Sequence, residues 1–183
     1  MRAADVSSDI TEVLVTEEEI RAKLDEIAAQ VAEDYAYEDL LLVGVLKGAI
    51  MVMADFSRAL KKHVTMDWMA VSSYGAGTKS SGVVQIRKDL DTDILGKHVL
   101  IVEDIIDSGL TLSWLLENFT ARGAASVEVF ALLRKPEAAK VEVRCKYVGF
   151  DIPPEFVVGY GLDYAEKYRN LRDVAVLAPH VYS

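Results

Sequence analysis

A chain of 183 residues, 51% of them apolar, is long enough for one domain with a sizeable core, since about 100–200 residues per domain is usual. Its 29 acids against 20 bases give a formal charge of −9. That sign disfavours nucleic acid, which needs Lys and Arg to neutralise phosphate, but leaves small phosphorylated ligands open through local dipoles or a divalent cation. The single cysteine, Cys145, can form no internal disulfide, which suits a reducing, cytoplasmic setting. Neither MRAADVSSDITEVL at the start nor any later run has the apolar length of a signal peptide or a membrane span, so no membrane partner is expected.

In chain order, Thr16 with Glu19 three residues on has the form of a capping box. Ile20, Leu24, Ile27, Ala28 and Val31 then recur at helical spacing, which predicts a helix over 16–33. LLVGVL at 41–46 reads as a short buried strand broken by Lys47-Gly48. Residues 49–62 have helical composition, with Ile50, Met53, Ala54 and Leu60 as candidate core. A second strand is predicted over 66–74, followed by the Gly/Ser-rich loop YGAGTKSSG and another strand in VVQIRK. HVLIV at 98–102 is a continuous apolar run of the kind found in the middle of a parallel sheet. A helix carrying Leu112, Leu115, Leu116 and Phe119 follows and stops near Gly123, and VEVFALL at 127–133 is the next buried strand. Beyond residue 136 the alternation fades into shorter strands such as KYVGF and VAVLA, punctuated by Pro and Gly. The pattern predicts an α/β fold, a mostly parallel central sheet flanked by helices, in a single domain over residues 1–183.

Ligands of open parallel sheets bind beyond the carboxyl ends of the strands. EDIIDSGLT, residues 103–111, is expected there, between HVLIV and the helix after it. Ser108, Gly109 and Thr111 fall where the free N–H groups of a helix N-terminus point outward, and with the hydroxyls they suit an anion. Glu103, Asp104 and Asp107 then need partners other than phosphate, and vicinal sugar hydroxyls or Mg²⁺ meet that need. Together these features describe a ribose-phosphate pocket. The segment alone equally permits an N-capping Asp in a solvated acidic turn.

VLIVEDIIDSGLT resembles the phosphoribosyl-diphosphate (PRPP) motif of type I phosphoribosyltransferases. LKGA at 46–49, SSYG at 72–75, LLRK at 132–135 and FVVGYGLDYAEKYRNL at 156–171 follow in the order expected of the hypoxanthine-guanine phosphoribosyltransferases of bacterial type. The resemblance implies a purine salvage enzyme that moves the 5-phosphoribosyl group of PRPP to N9 of hypoxanthine or guanine, with Mg²⁺ as cofactor, acting as a homodimer or homotetramer. It implies a small hood formed by the terminal segments and a mobile lid loop that includes Ser73 and Tyr74. Asp107 becomes the general base that takes the purine N7 proton. Glu103 and Asp104 contact the ribose hydroxyls, directly or through Mg²⁺, and Asp163 holds a second Mg²⁺. The 5′-phosphate falls to Asp107, Ser108, Gly109, Leu110 and Thr111. Lys47, Gly48 and Arg169 meet pyrophosphate, with the Leu46–Lys47 peptide cis. Lys135 donates to the purine O6, Phe156 stacks on the base and Val157 offers it a backbone carbonyl.

Taken singly, several of these residues have plain readings. Lys47-Gly48 suits an ordinary turn, Lys135 a solvated lysine before Pro136, Asp163 and Arg169 surface charge, and the Gly/Ser stretch a hairpin loop. Arg134 is a weaker candidate than Lys135 for the purine contact. The chain departs from some relatives after Lys135, where PEAAK offers Lys140 in place of an arginine. His63, His98 and His180 lack metal-ligand spacing, and Cys145 suits the core better than a nucleophile's role. Alternatives within reach of the resemblance are a 6-oxopurine enzyme that accepts xanthine and a PRPP-binding regulator without catalysis. An unrelated nucleotide-binding domain is disfavoured because no Walker sequence occurs.

Overall fold

The computed structural model describes residues 1–73 and 84–182. In chain order the main elements are β1 (Ile10–Val15), α1 (Glu17–Asp34), β2 (Leu40–Leu46), α2 (Ile50–Ala59), β3 (Thr65–Ser73), β4 (Val84–Lys88), β5 (His98–Ile106), α3 (Leu110–Ala121), β6 (Ser126–Arg134), β7 (Tyr147–Asp151), β8 (Val157–Val158), β9 (Val174–Leu177) and α4 (Pro179–Tyr182). A six-stranded sheet runs β4-β3-β2-β5-β6-β7 and a three-stranded one runs β1-β9-β8. Every pairing in the larger sheet is parallel except β3 with β4. The smaller sheet is antiparallel and joins both ends of the chain into the expected hood.

The central strands bury both faces, which is why they read as unbroken apolar runs. Leu40, Leu42, Leu100, Val102, Phe130 and Leu132 point to the side covered by α1 and α2. Their neighbours Leu41, Val43, Val99, Ile101, Val129 and Ala131 pack with Leu112, Leu115 and Phe119 of α3 on the other side. The capping box of α1 forms: Thr16 Oγ1 accepts from Glu19 N at 3.3 Å, and Glu19 Oε2 accepts from Thr16 N at 2.9 Å. Ile20, Leu24, Ile27, Ala28 and Val31 form its buried stripe, as the spacing predicts.

Two expectations need correction. α2 ends at Ala59, with Leu60 extended, and its inner face is Val52, Met53 and Phe56. Leu60 and Met53 are buried as expected, but Ile50 and Ala54 are exposed, because the stripe follows Ala49, Val52, Met53 and Phe56 around the helix. β5 does not stop at Val102 but runs on through Ile106, because β6 supplies a ladder partner as far as Ile106 opposite Arg134. Glu103 and Asp104 are therefore strand residues, not loop residues. In this extension the alternation inverts: Ile105 joins the α1/α2 side and Ile106 the α3 side.

Candidate active site

At the carboxyl end of β5, Glu103, Ile106, Asp107, Ser108, Gly109 and Thr111 line a cavity of about 130 Å³. Gly109 stands at the N-cap of α3 with φ +79°, and Ser108 Oγ accepts from Leu110 N at 3.5 Å. A left-handed residue there suits glycine, and it turns the first N–H groups of α3 into the cavity mouth. The Ser108 carbonyl accepts from Lys140 N at 3.0 Å and Val141 N at 3.3 Å, which pins the 136–141 segment against the cradle. The Lys140 side chain is exposed.

Asp104 lies elsewhere in the same site. A Cβ built on Gly48 would stand 1.8 Å from Asp104 Oδ2, so this carboxylate rests directly on the Gly48 backbone. Behind Gly48 lies Gly161, where a Cβ would stand 2.0 Å from the Gly48 carbonyl oxygen. The Leu46–Lys47 peptide just before this contact is cis, as the resemblance implies. Arg169 Nη1 donates to the Gly161 carbonyl at 2.7 Å, and Arg169 Nη2 pairs with Asp163 Oδ1 at 2.8 Å. The other Asp163 oxygen accepts from Glu166 N at 2.9 Å.

Glu166 was not read from the sequence as a site residue. Its carboxylate bridges Lys47 Nζ at 2.8 Å and Arg169 Nη2 at 3.1 Å, and so ties together two segments that the resemblance assigns to pyrophosphate. Ala165, Glu166 and Tyr168 all have positive φ, a turn that no residue-type pattern in DYAEKYR announces.

Lys135, at the end of β6, places Nζ 3.8 Å from Asp107 Oδ2. Its ammonium side chain is 11% exposed, whereas that of Asp107 is 60% exposed. Arg134 is not available for a ligand in the same way: its Nε and Nη2 donate to the two Asp151 oxygens at 2.6 and 2.9 Å. Phe156 is exposed, with Tyr164 edge-on to its ring at 5.9 Å. The Phe156 carbonyl accepts from Leu177 N, and Val157 is buried in β8. Ser73 ends β3 at the same carboxyl end of the parallel strands, while Tyr74 and the Gly/Ser stretch lie outside the described residues. His98, by contrast, sits at the opposite end of β5, with Nδ1 against Ser126 Oγ and Nε2 against Glu38. Burial pushes the Cys145 thiol up to about 11, which leaves it protonated and a poor nucleophile.

The two strand acids carry an electrostatic cost. Burial raises Glu103 well above the carboxylate range, and the adjacent Asp104 charge raises it further. Asp104 is pushed up to about 6, chiefly by burial, against backbone hydrogen bonds and the Arg169 charge that lower it. Neither forms an ion pair among the described residues, and no cluster of three ligating side chains occurs there. Two desolvated, unpaired carboxylates with only oxygen donors fit Mg²⁺, which binds one or two carboxylates and completes its shell with water and substrate phosphate.

A stability prediction follows from Asp104. Its folded-state value of about 6 lies above the unfolded 3.8. Ionisation therefore destabilises the fold: the penalty is absent below the lower value and complete above the higher one. Asp104→Asn is expected to stabilise the protein at pH 7.5 by on the order of 2–3 kcal/mol and to have little effect near pH 4. Urea unfolding at the two pH values without divalent cations measures it, and an equal shift at both would refute the assignment.

Residues 12–165 match the phosphoribosyl transferase domain family. The chain is 53% identical over 180 residues to a hypoxanthine-guanine phosphoribosyltransferase of Mycobacterium tuberculosis, covering 95% of this chain and 89% of that protein. It is 52% identical over 174 residues to the protein of that description in Bacillus subtilis, covering 95% and 97%. A crystal structure of a hypoxanthine phosphoribosyltransferase from Staphylococcus aureus superposes with a TM-score of 0.94 at 48% identity, covering 97% of both chains. The chain belongs to the phosphoribosyl transferase domain family and, within it, to the hypoxanthine-guanine phosphoribosyltransferases.

Proposed function

We propose that this enzyme transfers the 5-phosphoribosyl group from PRPP to N9 of hypoxanthine or guanine, giving IMP or GMP and pyrophosphate. The observation that carries the reading is the Lys135–Asp107 pair, 3.8 Å apart beside the phosphate cradle. A 6-oxopurine presents O6 and N7 on one edge. An ammonium donor next to a carboxylate acceptor is complementary to that edge when N7 carries a proton. Adenine offers an amino donor in place of O6 and so sets donor against donor at the Lys135 ammonium, a mismatch of the kind that discriminates strongly.

In the reaction the C1′–oxygen bond to pyrophosphate breaks, the N9–C1′ bond forms, and the N7 proton passes to Asp107 as general base. The N–H groups opening α3, with Ser108, Gly109, Leu110 and Thr111, hold the 5′-phosphate. Glu103 and Asp104 orient the ribose through its hydroxyls. Lys47, Gly48 and Arg169 receive pyrophosphate, the arginine through its fork of donors. Phe156 stacks on the base and Val157 lends a backbone carbonyl, while Ser73 and Tyr74 belong to the lid that excludes water. Glu103 and Asp104, with Asp163 at a second position, would hold Mg²⁺, which would supply Lewis-acid neutralisation of the leaving group. The likeness to the family also supports a homodimer or homotetramer in the cytoplasm, and no described helix is long and apolar enough to cross a membrane.

The test is turnover with PRPP and Mg²⁺ against hypoxanthine, guanine, xanthine and adenine. Hypoxanthine and guanine are expected to react strongly and adenine not at all. Adenine as the best substrate would overturn the role given to Lys135. Nucleotide binding without turnover of any base would favour the regulator instead, since a regulator needs the cradle but not the Lys135–Asp107 pair.

A further inference from the structure

Phe156 is a large apolar side chain left 40% exposed at the site. One neighbour comes from an unexpected place. The Tyr182 ring, on the short C-terminal helix α4, stacks on Phe156 with centroids 5.0 Å apart and planes 29° apart. Tyr164, four residues after Tyr160 in the segment that carries Asp163 and Arg169, meets Phe156 edge-on at 5.9 Å and Tyr182 edge-on at 6.4 Å. The three rings form a closed triangle with one near-parallel and two edge contacts, the arrangements that aromatic quadrupoles favour.

α4 is tied down. Val181 N donates to the Ala178 carbonyl at 3.0 Å, Ala178 N donates to the Asp9 carbonyl at 2.7 Å, and Val181 packs on the small cluster of Val158, Tyr168 and Leu177. Tyr182 therefore projects from an anchored segment rather than from a loose end. With Tyr182 stacked on its ring and 40% of the residue still exposed, Phe156 keeps surface open to a further partner.

From this geometry we infer that Tyr182 is a positioning residue for purine binding: it backs Phe156 and fixes the plane that the other face presents to the base. This deepens the proposed function and rests on its assignment of Phe156. A lone Phe at that exposure distributes over rotamers, and the base must then order it on binding. With Tyr182 behind it and Tyr164 against its edge, the platform is ordered beforehand, so less ordering entropy is lost when the base arrives. The effect belongs to the purine and not to PRPP, because none of the three rings is assigned to phosphate or ribose.

The experiment compares wild type, Tyr182→Ala and Tyr182→Phe in steady-state assays with hypoxanthine varied at saturating PRPP and the reverse. Tyr182→Ala is expected to raise KM for hypoxanthine about threefold to tenfold, the cost of ordering one such side chain. kcat and KM for PRPP should stay within twofold, roughly the scatter of changes that touch no contact. Tyr182→Phe keeps the ring and should restore the wild-type KM. Circular-dichroism melting verifies that each variant is folded; a partial loss of fold would lower apparent kcat and leave both KM values unchanged. An unchanged hypoxanthine KM in Tyr182→Ala overturns the inference, and a lowered one shows instead that the Tyr182 ring competes with the base for Phe156. Wild type that fails to use hypoxanthine would defeat the proposed function itself, an outcome distinct from either.

Discussion

Gly48→Ala is expected to cut kcat/KM for PRPP by at least about a hundredfold, the cost of an ångström-scale misplacement of a reacting group, while leaving the protein folded. The added methyl would stand 1.8 Å from Asp104 Oδ2 and 2.6 Å from its Cγ, so the two cannot coexist. The loop cannot retreat, because the Gly161 backbone closes off its other side, with a Cβ there only 2.0 Å from the Gly48 oxygen. What yields is the carboxylate end of Asp104. Moving a side-chain end is cheap for stability, about 1–3 kcal/mol for such overpacking, but this end is the one proposed to grip ribose and Mg²⁺. Gly161→Ala differs: its φ is +103° and its obstacle is backbone, so it should lose stability as well as activity. Gly96→Ala is the control, with positive φ but nothing within 4 Å of its Cβ, and should lose some stability and no activity. Steady-state kinetics with PRPP varied, read beside thermal melts, separates the three. Gly48→Ala with wild-type kinetics would show that Asp104 has no fixed position to defend.

How much of this was legible in the residues depends on how local each signal is. LLVGVL, HVLIV and VEVFALL announce themselves because strands buried on both faces need no polar alternation. The Thr16–Glu19 box and the stripe behind it are likewise contained within a few turns. β1 and β8 are harder. Both are completed by β9, so Ile10 pairs with Leu177 and Val157 with Val176, and in β1 only Val15 is buried. Such strands take their stability from a partner far along the chain, which no window of sequence contains. The extension of β5 through Ile106 fails to show for a related reason. Two adjacent acids look like a loop, and only the ladder to β6 holds them extended. The α2 error is one of phase: Ile50 and Val52 are equally apolar, and the choice between them is made by where α2 lies on the sheet.

The candidate site divides the same way. The cradle at Ser108–Thr111 follows from a helix N-terminus after a strand, a matter of order along the chain. The contacts that assemble the rest, Asp104 on Gly48, Gly48 on Gly161 and Lys135 beside Asp107, join segments far apart in sequence. The family motifs carried those residues; spacing alone did not. Glu166 escaped both kinds of reading. Its importance lies in a left-handed backbone and two cations from different segments, and neither leaves a mark on residue type.

Asp107→Asn is expected to lower kcat with hypoxanthine by about a hundredfold to ten-thousandfold, the range for loss of a placed general base. Hypoxanthine KM and the affinity for IMP should change little. The amide would keep the shape of the side chain beside Lys135 and leave the α3 N–H groups that hold the 5′-phosphate untouched. It would also keep a hydrogen-bond acceptor for N7–H, so the ground-state contact survives. What it lacks is a site that can take the proton as N9 bonds to C1′, and a loss confined to kcat is the mark of an interaction made only in the transition state. The 60% exposure of Asp107 sharpens the expectation, because a water-accessible amide is accommodated without strain and the variant should fold normally. Single-turnover rates with saturating PRPP, together with calorimetric titration of IMP, measure the two quantities separately. A kcat within about threefold of wild type would take the proton away from Asp107 and leave the Lys135–Asp107 pair a recognition device only.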